Sequence, residues 1–234
     1  MVVVGGWGVP VEALNPLLPQ GVEAVALEPA RMAAANGDLS AALDSVMDEL
    51  PEGVPWLGWS LGGQVAMAAQ QRFPDRVGSV LTLCSTPCFV AAPDWPAGMA
   101  PSDFSGFRDG LAADAGGTLR RFCSLVSQGS ASPRAVQRAL QALDWPETGE
   151  TRLRGLKASL EWLAELDQRA LWRSPPGEAR HQFGARDALV DAETPGALGL
   201  APERFSVVPG AGHWPVAMAG VEEWISATLE RVTP

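Results

Sequence analysis

The fold of this chain is indicated by five residues, Gly58-Trp59-Ser60-Leu61-Gly62. A short apolar run typical of a buried strand, Val54–Leu57, stands before them, and an alanine-rich segment that favours a helix, Gly63–Arg72, follows. Gly-x-Ser-x-Gly between a strand and a helix predicts a sharp turn that exposes a nucleophilic serine. Composition alone produces roughly 0.17 such matches in a chain of this length. The interpretation therefore depends on the strand and helix beside the motif.

Composition indicates an ordinary soluble protein that acts on neither nucleic acid nor membranes. The 234 residues are 47% hydrophobic and 19% charged, enough for one large domain or a core with an insertion. The formal net charge of -10 argues against nucleic acid and anionic membranes as partners. No apolar run reaches the length of a membrane span, and no basic segment precedes Val2-Val3-Val4, so we expect no secretory signal.

The cysteines point to a reducing compartment. Cys84, Cys88 and Cys123 are an odd number without metal-ligand spacing, so we expect reduced thiols in a cytoplasmic protein. A Cys84–Cys88 disulfide is the alternative. The two histidines lie far apart without clustered carboxylate or cysteine ligands, and we therefore expect neither a metal nor a cofactor.

Strand-like and helical segments alternate along most of the chain, a pattern that predicts a parallel sheet covered by helices on both faces. Together with the serine turn, this predicts an α/β-hydrolase fold with its core in residues 1–90 and 177–234. Residues 91–176 are helical in pattern and predict a cap inserted after the sixth strand position of that fold. The predicted strands are Val2–Val4, Val22–Leu27, Val54–Leu57, Val77–Leu83, Ala179–Phe183 and Arg204–Val208. The predicted helices are Leu39–Leu50, Leu61–Arg72 and Val221–Arg231 in the core, with Thr118–Ser127, Ser132–Leu143 and Thr151–Leu171 in the cap.

A serine nucleophile needs a base, and one of the two histidines is well placed to be that base. His213 lies in a glycine-rich loop between the last predicted strand and the last predicted helix, where this fold places its base. His181 lies inside a predicted strand, and we expect it to be structural. The predicted pair is therefore Ser60 and His213.

The acid that orients the base should follow a strand and precede His213. Asp187 comes directly after the penultimate predicted strand and is the preferred candidate. Asp191 and Glu193 compete with it, although both could simply be solvated residues at the start of the next helix.

An oxyanion hole requires two backbone N–H groups that face the developing charge. One should belong to Leu61, the residue after the serine. The other should come from Gly5-Gly6-Trp7-Gly8, directly after the first strand, with Trp7 as the best donor.

Three segments resemble one esterase family. They are Trp56-Leu57-Gly58-Trp59-Ser60-Leu61-Gly62-Gly63, Phe73-Pro74-Asp75-Arg76-Val77 and Ser85-Thr86-Pro87-Cys88-Phe89. In these segments, strongest over 54–145, the chain resembles the carboxylesterases of biotin synthesis, the pimeloyl-[acyl-carrier protein] methyl ester esterases. The resemblance implies that a methyl ester on a carrier-bound pimeloyl chain is cleaved to release methanol.

The resemblance also implies roles for residues of the cap. The substrate-lining segment of the family falls on Phe122, Cys123, Ser124, Leu125 and Val126. Arginines that bind the acidic carrier protein match Arg121, Arg134 and Arg138, while a fourth position falls on Gly117, with Arg120 nearby.

Charge patterning supports a basic surface in the same region. No acidic residue stands between Asp114 and Asp144, although the chain holds 27 Asp and Glu residues. Arg134 and Arg138 are four apart and would share one helix face. Such a surface could steer an acidic partner, although chance segregation of charge on a solvated helix remains the alternative.

The chain departs from the family pattern at its beginning. Gly5-Gly6 stands where family members carry a His-Gly pair, and Met1 leads directly into the first core strand, without the two strands that usually precede it. We therefore expect a shortened N-terminus.

We expect a monomeric serine carboxylesterase that acts on the carrier-linked methyl ester through an acyl-enzyme. A general short-chain carboxylesterase on an unrelated small ester is the alternative. A non-catalytic binding protein with the same fold is a third reading, which the intact Ser60, Asp187 and His213 disfavour.

Overall fold

Six parallel strands form one sheet in the computed structural model, which describes residues 1–147 and 149–232. The spatial order is β2-β1-β3-β4-β5-β6, so the chain runs to one edge and then crosses back over β1 to build the other half. The strands are β1 Val2–Val4, β2 Val25–Leu27, β3 Val54–Trp59, β4 Val77–Leu83, β5 Ala179–Gly184 and β6 Phe205–Val208.

The strand predictions are confirmed, with small differences at the ends. β2 is three residues shorter than predicted because Val22 belongs to a turn, its N–H bonded to Pro19 O, and pairing with β1 starts at Val25. β3 extends to Trp59, since this residue still pairs with Leu83 of β4 directly before the serine turn.

Ten α-helices lie within the described ranges. They are α1 Pro29–Ala35, α2 Leu39–Met47, α3 Leu61–Arg72, α4 Pro101–Ala113, α5 Ala115–Ser127, α6 Pro133–Gln141, α7 Glu150–Glu165, α8 Arg169–Arg173, α9 Thr194–Leu198 and α10 Val221–Val232. Within the described ranges, 3-10 helices cover Val11–Leu17, Pro202–Arg204 and Pro215–Ala217. None of the helices in the described ranges has the length and apolar character that a membrane crossing requires.

The segment between β4 and β5 carries α4 to α8, and we call it the helical insertion. It follows the fourth strand of this chain, which is the sixth position of the fold when the two strands expected ahead of β1 in family members are counted. Pro101 is the first residue of α4, a position that tolerates proline because its N–H needs no partner there. One detail differs from the prediction. The single helix predicted over Thr151–Leu171 is divided into α7 and α8, because Gln168 N–H bonds to Pro87 O across the gap.

The helical insertion is held to the core mainly through α7. This helix packs closely on α1, where Gly155 touches the carbonyl of Ala30 so tightly that a Cβ would overlap it. Trp162 Nε1 donates to Gly37 O at 2.7 Å, and Arg154 Nε donates to Ala34 O at 3.3 Å. Near the end of the insertion, Arg169 pairs with Asp94 and Asp167, and thereby ties α8 to the loop after β4.

The helical insertion also contacts the loops at the carboxyl ends of the strands. Leu119 packs against Gly8 after β1, Gly129 contacts the carbonyl of Arg186 after β5, and Gln128 contacts Gly212 after β6. Open parallel sheets place their ligand sites at this edge. The insertion therefore covers the edge on which the predicted site residues lie.

We predict opposite stability effects for two helical glycines of the insertion. A methyl group at Gly155 meets the carbonyl of Ala30, whereas a methyl group at Gly106 of α4 meets nothing within 4 Å. G155A should therefore destabilise the protein by about 1–3 kcal/mol through overpacking. G106A should stabilise it by about 0.5–1 kcal/mol because alanine favours a helix over glycine.

Thermal denaturation of both variants beside the wild type would test this prediction. In a chain of this size, the melting temperature should shift by about 2–4 °C per kcal/mol. An unchanged G155A stability would mean that α7 does not pack on α1 as described.

Candidate active site

Ser60 occupies the strained turn between β3 and α3. Its φ of 55° and ψ of -122° lie in a region that side-chain-bearing residues rarely adopt. The helix turns back so sharply that a Cβ at Gly58 would overlap the Gly62 carbonyl, and a Cβ at Gly62 would overlap the carbonyl of Val4. Both motif glycines are therefore required by close backbone approach.

Hydrogen bonds to β4 and to the loop that follows it hold the strained turn in place. Ser60 N–H donates to Leu83 O at 2.9 Å, and Ser85 Oγ donates to Ser60 O at 2.6 Å. The peptide groups on both sides of Ser60 are thus fixed, which leaves the side chain at the carboxyl edge of the sheet.

Ser60, His213 and Asp187 form one hydrogen-bonded chain. His213 Nε2 lies 3.0 Å from Ser60 Oγ, and His213 Nδ1 lies 2.7 Å from Asp187 Oδ2. The side chains of His213 and Asp187 are 0% and 1% exposed, so water does not compete for this contact. With Nδ1–H donated to the carboxylate, Nε2 is left to accept the serine proton.

Asp187 is fixed through both of its carboxylate oxygens. Oδ1 accepts the N–H groups of Leu189 at 2.8 Å and Val190 at 3.0 Å, while Oδ2 faces His213. The two competing acids are placed differently. Asp191 Oδ1 accepts from the N–H of Glu193, and both residues are exposed at the start of α9.

Trp59 is a positioning residue that the sequence analysis did not assign. Its Nε1 donates to the carbonyl of His213 at 3.0 Å, and its ring packs edge-on against Trp214 at 5.2 Å. The variable position before the serine thus holds the loop that carries the histidine. The tryptophan-flanked motif was the available signal, but the partner lies 154 residues away.

Cys84 lies behind the Asp187–His213 pair. Cys84 Sγ, a carboxylate oxygen of Asp187 and a ring nitrogen of His213 lie within 4.8 Å of one another, a grouping that could in principle hold a metal ion. Burial and the neighbouring charge of Asp187 raise the pKa of the Cys84 thiol well above its usual value, which favours the neutral form over a metal-binding thiolate. The 2.7 Å contact between Nδ1 and Oδ2 also leaves no space for an ion between them. Cys84, Cys88 and Cys123 are free thiols.

The two predicted oxyanion donors follow the neighbouring strands β1 and β3. Leu61 begins α3, whose N-terminus favours negative charge, and Trp7 follows β1. In the described part of the chain, neither N–H donates to a backbone carbonyl. Gly6 lies against the Trp59 ring, where a Cβ would approach to 2.7 Å. A side chain at this position would push the Trp7 loop away from Ser60.

The segment Phe122–Val126 of α5 does not present one lining surface. Phe122 packs edge-on against Trp7 at 5.1 Å and shares its inward face with Val126. Cys123 and Ser124 line a separate cavity of about 500 Å³ between α5 and α6. Leu125 lines a cavity of about 640 Å³ that reaches Asp187. The helical turn of 100° per residue divides the five residues among three environments.

The four arginines of the predicted docking surface are all exposed. Within the described ranges none of them forms an ion pair with a carboxylate. Arg134 and Arg138 lie on one face of α6, with Arg138 Nε bonded to Arg134 O at 3.4 Å. Arg120 and Arg121 differ, since Arg120 lines the 500 Å³ cavity while Arg121 covers the Phe107 ring and lines the cavity beside Asp187.

Gly117 belongs to the first turn of α5, directly beside its N-cap. Asp114 caps α5 by accepting the N–H of Gly117 at 2.9 Å, and a Cβ there would overlap the carboxylate. A side chain at position 117 would require the Asp114 carboxylate to shift, and Arg120 stands one turn further on.

His181 lies on β5, apart from the serine. Its Nδ1 lies 2.9 Å from Thr82 Oγ1, and its ring stacks on Trp172 at 4.1 Å. Complete burial, with a smaller effect from Arg204, lowers the pKa of His181 to about 3. This histidine is therefore a neutral part of the core at physiological pH.

Comparison with known proteins agrees with this fold. The sequence profile of the alpha/beta hydrolase family matches residues 1–222. Bromoperoxidase from Bacillus anthracis superposes with a TM-score of 0.77 over 97% of this chain and 90% of its own, at 17% identity. BioG from Haemophilus influenzae superposes with a TM-score of 0.58 over 92% of this chain and 88% of its own, at 18% identity.

Sequence relatives narrow the class further. A pimeloyl-[acyl-carrier protein] methyl ester esterase from Aromatoleum aromaticum is 37% identical over 201 residues, which span 81% of this chain and 80% of the relative. A protein of the same name from Klebsiella pneumoniae strain 342 is 33% identical over 81% of this chain and 76% of its own length. The chain thus belongs to the α/β-hydrolase family. Within it, the chain is a member of the pimeloyl-[acyl-carrier protein] methyl ester esterases, a family of carboxylic ester hydrolases.

We predict that His181 makes the stability of the fold depend on pH. Because its pKa in the folded state is about 3 and its unfolded value is near 6.5, the unfolded chain binds an extra proton between these values. Stability should therefore fall as pH decreases from about 6.5 towards 3, by at most about 1.4 kcal/mol per pH unit from this group.

Urea denaturation of wild type and H181Q at pH 7.5, 6.0 and 5.0 would measure this contribution. H181Q should lose less stability than the wild type between pH 7.5 and 5.0, whatever its absolute stability. Replacement of the other histidine, as in H213N, serves as the matched control. Parallel pH curves for wild type and H181Q would contradict the prediction.

Proposed function

We propose that this chain is a serine carboxylesterase that hydrolyses the methyl ester of pimeloyl-[acyl-carrier protein] in biotin synthesis, with Ser60, His213 and Asp187 as its catalytic residues. The observation that carries the proposal is the continuous hydrogen-bonded chain from Ser60 Oγ through both nitrogens of His213 to Asp187. The names of the relatives supply the ester and its carrier.

The first half-reaction forms an acyl-enzyme. Ser60 Oγ attacks the ester carbonyl carbon as His213 Nε2 takes the hydroxyl proton, and the carbonyl electron pair moves onto oxygen. The N–H groups of Trp7 and Leu61 stabilise that oxyanion. When the tetrahedral intermediate collapses, the methoxy group leaves with the proton from His213 as methanol.

The second half-reaction releases the acid. Water attacks the acyl carbon, His213 takes its proton, and the second tetrahedral intermediate expels Ser60 Oγ, which regains a proton from His213. Asp187 orients the imidazole and stabilises the imidazolium, a role supported by the two backbone N–H donors that hold its carboxylate in place. The products are the free carboxyl end of the pimeloyl chain and methanol.

We also propose that residues 91–176 act as a cap and that α6 offers the carrier protein a basic surface. Arg134 and Arg138 are exposed and free of carboxylate partners in the described ranges, so their charge is available to an acidic carrier. This charge lies on a chain of net charge -10, which favours local steering over global attraction.

The three free thiols and the acidic composition support a cytoplasmic location.

We predict that S60A abolishes ester hydrolysis. Without the hydroxyl no acyl-enzyme forms, so methanol release from pimeloyl-carrier methyl ester and turnover of p-nitrophenyl acetate should fall at least about 10⁴-fold. A fluorophosphonate probe should label the wild type at Ser60 and leave S60A unlabelled. Unchanged turnover in S60A would remove the proposed triad.

The same assay distinguishes the alternatives. A general short-chain esterase would hydrolyse the small ester and leave the carrier-linked ester intact. A non-catalytic binding protein would hydrolyse neither ester and would not react with the probe.

We predict that charge reversal on α6 weakens recognition of the carrier selectively. R134E/R138E should raise KM for the carrier-linked ester about tenfold or more and change kcat/KM for p-nitrophenyl acetate less than twofold. The effect should shrink in 0.5 M NaCl because salt screens exposed charges.

K157E is the matched control, since Lys157 is an exposed cation of the same insertion on a different helix. It should leave both substrates nearly unaffected. Equal losses with both substrates in R134E/R138E, or a K157E loss of the same size, would contradict the docking surface.

A further inference from the structure

Two hydrogen bonds connect α7 of the helical insertion to the loop that carries the predicted oxyanion donor. Trp7 Nε1 donates to Leu156 O at 3.0 Å, and Arg152 Nη2 donates to Gly8 O at 3.0 Å. The first bond fixes the Trp7 side chain, and the second fixes the carbonyl of the residue directly after it. Both partners are one turn apart on the same helix.

Side chains pack around the loop Gly5–Gly8, but in the described part of the chain few other hydrogen bonds hold its backbone. At its beginning, Gly5 N–H donates to Leu27 O at 2.9 Å, which anchors it to β2. At its end, Gly8 adopts a left-handed φ of 73° in a space so narrow that a Cβ would approach Leu119 to 2.8 Å. The Trp7 N–H therefore lies between one anchor in the sheet and one anchor supplied by Arg152.

In the part of the chain that the structure describes, Arg152 has no competing partner that explains its position. It is partly buried, and within the described ranges it forms no ion pair, while its buried Nε has no hydrogen-bond partner. Burial lowers the pKa of this guanidinium, and the charge of Glu28 opposes that shift only in part. A charged donor that is partly removed from water binds its one carbonyl acceptor strongly.

We propose that Arg152 is a positioning residue for the oxyanion hole. By holding the Gly8 carbonyl, it keeps the Trp7 N–H directed at the carbonyl oxygen of the substrate, and it does so from the insertion rather than from the core. The inference rests on the proposed function, because it assigns a part in the stabilisation of the tetrahedral intermediate.

The test compares R152A with R154A and R152K. Arg154 is the matched control, since it lies on the same helix and donates to Ala34 O of the core, remote from the loop. With p-nitrophenyl acetate, R152A should lower kcat about 10- to 100-fold at a KM within twofold, because a displaced oxyanion donor affects the transition state. R154A should stay within twofold of wild type. R152K should recover part of the loss, since an ammonium group can still donate to the carbonyl.

A trifluoromethyl ketone supplies the readout that a merely structural role would not change. Its adduct with Ser60 carries an oxyanion, so its inhibition constant in R152A should rise by the same factor by which kcat/KM falls. An unchanged inhibition constant, or a loss of equal size in R154A, would overturn the proposal.

Failure of the inference and failure of the proposed function give different results. If the wild type shows no ester hydrolysis that is lost in S60A, the proposed function is wrong. If the wild type is active and R152A has normal kinetics, only the role of Arg152 is wrong. Thermal melts of all variants would show whether unfolding accounts for any loss of activity. Should R152A fail to fold, R152Q and R152K provide the same comparison with both substrate and ketone.

Discussion

Close contact between β3, α3 and β1 is the constraint on which the site depends. The backbone can turn through Ser60 only because Gly58 and Gly62 let the helix lie directly on the strands. That turn directs Ser60 Oγ towards His213 and brings Leu61 N–H to the start of a helix. Any larger residue at either glycine would separate the helix from the sheet and move the serine from its base.

The remaining parts of the site come from distant loops that aromatic side chains hold together. Trp59 binds the His213 carbonyl, Trp7 binds the Leu156 carbonyl, and Phe122 fills the space beside Trp7. Each indole buries a large apolar surface and still satisfies its N–H, so it contributes packing and direction together. The site is thus stabilised by the core and by the helical insertion at once.

Elements and the order of site residues could be predicted because they follow from local pattern. The strands of the sheet, the serine turn and the chain order of Ser60, Asp187 and His213 all have short-range signals. Contacts between distant segments could not be predicted in this way. In the sequence, nothing distinguishes Arg152 from other cations on a helix. The resemblance assigns residues 122–126 to one substrate-lining segment, but the helix turns their side chains onto several faces.

The fit between Gly155 and Ala30 bears on how such an enzyme can diversify. Since α7 lies on α1 without space for even a methyl group, these two helices form a single packing unit, although one belongs to the insertion and the other to the core. Recombination between relatives would then succeed at breakpoints that leave α7 with its own α1. Exchange of only α4 to α6 would leave that fit in place, but it would also replace Leu119 and Phe122, which pack against the loop after β1. A new partner surface can therefore be acquired on this part of the insertion only if the incoming α5 keeps those two contacts.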